Sequence, residues 1–170
     1  MAQTTDVKSL EEWLRAQPGS YLSPHVQVAS SEEAGLHWRA TQAIEPGTRL
    51  ATIPHSVAFS YLNAFADDSY PVFKAQKSSF RIEDIGFFYL ALQYINRAKS
   101  FWKPYLETLP QPSEEFTTPL WFSDSDDEVW LADTDALFTV KQKREHHRRQ
   151  YDSGIAVLQA AKVNTTDLTW

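Results

Sequence analysis

A chain of 170 residues, 42% hydrophobic and 14% aromatic, can bury one core, so a single domain or one lobe of a larger one is expected. Its formal net charge of −6 argues against non-specific nucleic-acid binding, which needs a surplus of Lys and Arg on one surface. The lack of cysteine excludes disulfides, zinc-thiolate sites and Cys nucleophiles together, and suits a reducing compartment.

The start, MAQTTDVKSLEEWLRAQ, has neither an apolar signal core nor an Arg-rich, acid-poor transit pattern. No later apolar run approaches the roughly 18 residues of a membrane span. The expectation is a soluble intracellular protein, cytoplasmic or nuclear, without membrane or nucleic-acid partners. Ser9 to Glu12 fits an S-x-x-E capping box, and Leu10, Trp13 and Leu14 then share one face of a short helix ended by Pro18-Gly19.

From Val26 to Pro54 the period changes. HVQVA alternates, GLHWRA is short and apolar, and TRLATIP alternates again after Glu45-Pro46-Gly47, which predicts a small antiparallel β-meander turning at Pro46-Gly47. A short helix and a loop are predicted over 60–80. EDIGFFYLALQYINRAK spaces Ile85, Phe88, Leu92 and Ile95 as a helical stripe widened by Phe87, Leu90 and Ala91, a helix buried on most sides.

SFWKPYLETLP reads as a short aromatic segment, and Ser123 as the N-cap of DSDDEVWL. A long helix is predicted from Asp133 or Asp135 to Lys162, where Leu137, Val140, Arg144, His147, Tyr151, Ile155 and Leu158 keep helical spacing. The order, β-rich first and helical after, points to an α+β fold.

Ordinary motifs yield no catalytic centre. His146 and His147 are adjacent on a helix, roughly 100° apart, and cannot share an ion as an i, i+4 pair can, so the solvated-face reading is preferred to a basic docking stripe. SDSDDE lacks the glycine and terminal Glu of a calcium loop and reads as helix capping. No metal site follows. Gly86, inside an apolar helix, reads as a close-packing position. Gly35 has two readings: a bulge glycine, or a point where the main chain approaches a small polar ligand.

The order of EEAGLHWRATQAIEPGTRLATIP, then FWKPYLETLP, then PLWFSDSDDEVWLADT resembles the first half of SET-domain protein methyltransferases of the Rubisco-large-subunit-methyltransferase-like type. Gly35, Leu36, Ala40, Ile44, Gly47, Leu50, Ile53 and Pro54 match that family's first SET segment. Trp102, Pro104, Tyr105, Leu106, Leu109, Pro110, Pro119 and Leu120 match its helical insertion.

The resemblance divides the chain into an N-terminal helix over 1–20, a β-rich first SET segment over 21–60 and a helical SET insertion over 61–170. It implies an S-adenosylmethionine-dependent protein-lysine N-methyltransferase with a protein substrate. Glu32, Glu33, Ala34, Gly35 and Leu36 would form one wall of the cofactor site, with main-chain groups near Glu32 and Ala34 facing the methionine end. Glu33 stands where the family has the first glycine of a G-x-G, and His37-Trp38 is an added pair.

The family's second SET segment, with its Asn-His motif and channel tyrosine, finds no match before Trp170. The expectation is therefore an incomplete SET domain without catalytic residues of its own, inactive alone or completed by a complementary SET half. The alternative is a non-catalytic protein-interaction module derived from a SET protein.

Overall fold

The computed structural model describes residues 4–31, 35–109, 116 and 118–170. It is α+β, with helices predominating over two small antiparallel ladders, as expected. The chain divides into two compact units, Met1–Asn63 with Gln93–Pro112, and Ala64–Leu92 with Ser113–Trp170.

The first unit opens with α1 (Thr4–Arg15). The helix starts five residues before Ser9, which is therefore an interior residue and not the expected N-cap; apolar residues Val7, Leu10, Trp13 and Leu14 carry the stripe through both turns. After α1 the chain turns at Gly19 (φ +83°), and the Ser20 amide donates to the Gln17 carbonyl at 3.1 Å.

Four strands follow: β1 (Tyr21–Leu22), β2 (Val26–Ser31), β3 (Gly35–Ala40) and β4 (Ala51–Thr52). The strands do not form one meander. β2 and β3 make a hairpin, whereas β4 pairs back with β1, Tyr21 opposite Thr52 and Leu22 opposite Ala51. Between β3 and β4 the Pro46-Gly47 turn forms as predicted. Gly47 has φ +84° and the Thr48 amide donates to the Glu45 carbonyl at 3.1 Å, a type II turn.

The unit's core is aromatic. Trp102 is 4% exposed and meets Phe59 edge-on at 4.9 Å, Trp13 at 5.9 Å and Phe101 at 5.2 Å. Leu106, in α5 (Lys103–Leu106), is fully buried beside them in sequence, so the W-x-P-Y-L segment is a packing element. Asn63 brackets the turn above it, accepting from the Ser60 amide at 2.8 Å and donating to the His55 and Ser56 carbonyls.

The predicted helix-then-loop over 60–80 is two short helices, α2 (Tyr61–Ala66) and, in the second unit, α3 (Pro71–Ala75), the latter started by Pro71 in its first turn. α4 (Ile82–Ile95) buries Ile85, Phe88, Tyr89 and Leu92, but Phe87, expected on the buried stripe, is 59% exposed. Phe73, Phe80, Phe88 and Tyr89 form a chain of rings with centroids about 6 Å apart, and the Tyr89 hydroxyl donates to Asp67 Oδ2 at 2.9 Å.

Ser123 caps α6 (Asp124–Asp126) in a full capping box, its Oγ accepting from the Asp126 amide at 3.2 Å. A π-turn (Asp127–Leu131) leads to α7 (Asp135–Ala160), close to the predicted span. The close-packed glycine is Gly154 in α7, not Gly86. A Cβ on Gly154 would overlap the Phe88 ring, whereas one on Gly86 would meet nothing within 4 Å.

Candidate functional site

β2 and β3 pair in a continuous ladder running from Val26 opposite Ala40 to Ser31 opposite Gly35, with no residue skipped. β-Branched Val26 and Val28 favour the extended strand on one side. Because pairing is uninterrupted, Gly35 is not a bulge. It has φ +60°, a left-handed conformation that L side chains rarely adopt, and a Cβ there would meet nothing within 4 Å.

The glycine therefore answers a backbone requirement, and among the described residues nothing fills the space beside it. Of the five residues expected at the cofactor wall, Glu32, Glu33 and Ala34 lie outside the described residues; Gly35 and Leu36 open β3.

His37 Nδ1 lies 3.0 Å from the Gly35 carbonyl oxygen, so the ring holds the start of β3 when Nδ1 carries the proton. Leu36 and Trp38 project from the other face of β3 and are 41% and 47% exposed. Opposite them in register stand Ser30 and Val28. The hairpin thus shows solvent an apolar surface that this unit does not use.

The other residues singled out in sequence have structural settings. Burial raises the Tyr105 phenol above its ordinary value, which keeps it a neutral hydroxyl, and its ring lies 5.7 Å from Phe59. His146 and His147 are exposed with ring centroids 6.0 Å apart, and His146 Nε2 lies 3.4 Å from Arg81. Among the described residues no three His, Asp or Glu converge as metal ligands.

Arg144 was legible only as a position on the helical stripe. Its guanidinium pairs with Asp127, which is 3% exposed, and donates to the carbonyls of Pro119, Leu120 and Phe122 at 2.7, 3.1 and 2.8 Å. It clamps the Pro119–Leu131 segment to α7.

No family model matches the chain. It is 28% identical over 135 residues to an actin-histidine N-methyltransferase of Papio anubis and 27% identical over 134 residues to that of Homo sapiens, in each case over 78% of this chain and 22% of the relative. An uncharacterized protein of Schizosaccharomyces pombe is 30% identical over 151 residues, 84% of this chain and 31% of the relative. The named relatives are protein methyltransferases. At that level the similarity supports a methyltransferase kind of function. The chain spans between about a fifth and a third of the length of these relatives. Among the described residues no helix is long and apolar enough to cross a membrane.

Proposed function

We propose that the chain is the part of a SET-type protein N-methyltransferase that supplies one wall of the S-adenosylmethionine site and the adjoining helical insertion. The observation that carries this is the similarity to actin-histidine N-methyltransferases over 78% of the chain. The ordered Gly35-to-Pro54 and Trp102-to-Pro110 motifs agree with it.

When bound, S-adenosylmethionine supplies an electrophilic methyl group on a sulfonium. The residues that would hold it are Glu32 to Leu36, through main-chain groups. Gly35 fits that role because no described residue fills the space where its side chain would stand. The apolar face of Leu36 and Trp38 fits packing against the rest of the SET fold, a further segment or a complementary chain.

The acceptor is a side-chain nitrogen of a protein. The family resemblance pointed to lysine; the names of the relatives favour histidine. A histidine ring, with an ordinary pKa of about 6.5, presents a neutral nucleophile near pH 7, whereas lysine, at about 10.4, must first lose a proton.

Calorimetry tests the reading. The chain alone is expected to bind S-adenosylmethionine weakly or not at all, because one wall is not a preorganised pocket. A chimera continuing into the remainder of the Schizosaccharomyces pombe relative is expected to bind it. In that chimera Gly35→Asn, which tolerates the left-handed conformation but fills the open space, should remove binding while leaving the melting temperature nearly unchanged. A folded chimera whose affinity is indifferent to Gly35→Asn removes the turn from the cofactor site. A folded chimera that binds no cofactor leaves the interaction-module reading, which the exposed hairpin face also suits.

A further inference from the structure

A cleft lies in the second unit, along α4, α7 and the chain after it. Its volume is about 230 Å³, with Phe87, Phe88, Ala91, Tyr151 and Leu168 as apolar lining. Trp170 stands at its rim, 61% exposed, and Phe87 is 59% exposed, so two large aromatic side chains are turned to solvent beside a cavity. The rim is held in place. The Tyr151 hydroxyl donates to the Leu168 carbonyl at 2.7 Å, and the Tyr151 and Trp170 rings lie 5.4 Å apart.

One lining group does not fit an apolar cleft. Asp84 is 6% exposed, and its Oδ1 accepts from Gln150 Nε2 at 2.6 Å. No Lys, Arg or His among the described residues forms an ion pair with it. Arg81 and Arg149 line a neighbouring polar cleft that Asp84 also borders, but Arg81 is engaged by Glu83 at 3.7 Å and Arg149 by Glu145 at 3.5 Å. Asp84 lies in the first turn of α4, where the helix dipole favours the carboxylate, and with Oδ1 held by Gln150 it gives the cleft an anionic wall that a cation complements.

The rings can take a cation as well. The Arg148 guanidinium already sits 5.6 Å from the Tyr151 ring and 5.3 Å from that of Trp170, without lining the cleft.

We propose that this cleft docks a lysine side chain of a protein partner, its ammonium at Asp84 and its methylenes along Phe87, Ala91 and Leu168. An anion meets Asp84, and a purely apolar group leaves the carboxylate unpaired. Arginine is disfavoured because its planar fork prefers both oxygens of a carboxylate, and Oδ1 is taken by Gln150. A point-charge ammonium on an apolar stem needs only one oxygen and a greasy wall. The inference concerns residues apart from the Gly35 turn and does not depend on the cofactor reading.

The test is an NMR titration of the isotope-labelled chain. The probes are Nα-acetyl-lysinamide, its norleucine and arginine counterparts, and butylamine. The lysine probe should give saturable shifts at 84–91, 147–151 and 168–170. The norleucine probe, lacking the ammonium, should bind about tenfold or more weakly, the worth of one charge-assisted hydrogen bond.

Asp84→Asn, which keeps an oxygen for Gln150, should lose the difference between the two probes. Phe87→Ala, an exposed position, should weaken the lysine probe without loss of spectral dispersion, and gives a reading even if Asp84→Asn fails to fold. Butylamine, which carries the same ammonium and methylenes, should bind comparably to the lysine probe; equal binding of the lysine and norleucine probes, or tighter binding of the arginine probe, would each overturn the proposal.

Discussion

Two glycines inside helices should respond to alanine with opposite sign. In a helix interior, replacing Gly by Ala stabilises by about 0.8–1 kcal/mol through backbone entropy. Gly86, in α4, has nothing within 4 Å of a prospective Cβ, so Gly86→Ala should realise that gain. Gly154 carries the same propensity term and an opposing steric one.

A Cβ there overlaps Phe88 Cε2 and Cζ and lies 2.8 Å from Cδ2. Phe88 is 7% exposed and lies between Phe80, at 6.1 Å, and Tyr151, at 6.5 Å, so its ring has little room to withdraw. Overpacking of this kind costs about 1–3 kcal/mol, and the steep overlap puts Gly154→Ala at the upper end, for a net loss of about 2 kcal/mol.

At about 2–4 °C per kcal/mol for a chain of this size, Gly86→Ala should raise the melting temperature by about 2–4 °C and Gly154→Ala lower it by about 4–8 °C. Thermal melts by circular dichroism read both. Phe88→Leu in the Gly154→Ala background should recover about 1 kcal/mol or more relative to additivity, since the two residues share one space. Stabilisation by Gly154→Ala equal to that by Gly86→Ala would refute the packing argument.

Arg144→Ala should cost about 3 kcal/mol in urea unfolding, because it strands the buried Asp127 carboxylate, while Asp127→Asn in that background should restore part of it; a loss under about 1 kcal/mol would show the clamp to be ornamental. The Asp126 carboxyl is held below its ordinary value by the Ser123 hydroxyl and amide. Its folded pKa being depressed, the capping contribution is present above the unfolded pKa and is lost as pH falls through the folded one. Carbon-detected titration of Asp126 should show a midpoint below that in Ser123→Ala, and identical midpoints would remove the capping box as the cause.

What could be read from sequence was what is local. Ser123 with Asp126, Pro46 with Gly47 and the span of α7 depend on neighbours within a few residues, and all three formed. Ser9 failed as a cap because an S-x-x-E match also occurs in the middle of a helix, and the apolar stripe already included Val7. The pairing of β4 with β1 joins residues about thirty apart, a register that alternation cannot specify.

Gly86 and Gly154 look alike in sequence, and only the position of the Phe88 ring separates them. The same holds at the candidate site. Gly35 could be read as special, but whether for a bulge or a left-handed residue rested on a ladder register fixed across the hairpin. Asp84 gave no signal beyond a first-turn acid, because its hydrogen-bond partner is a residue sixty-six positions away.

The end of α7 is conditional on the chain beyond it. The turn that stops the helix places Lys162 at φ +61°, with the Val163 amide donating to the Leu158 carbonyl at 3.0 Å, a left-handed C-terminal turn built without glycine. Such a residue costs roughly 1–2 kcal/mol, and no proline follows to forbid further helix. What favours the reversal is the return of Leu168, 8% exposed, to the Tyr151 hydroxyl. Helix end and tail docking are therefore coupled: the Leu168 contact, with Gln159 Nε2 donating to Thr165 Oγ1 at 3.3 Å, offsets the cost of the turn at Lys162, so loosening the tail should weaken both the turn and the wall that Trp170 provides.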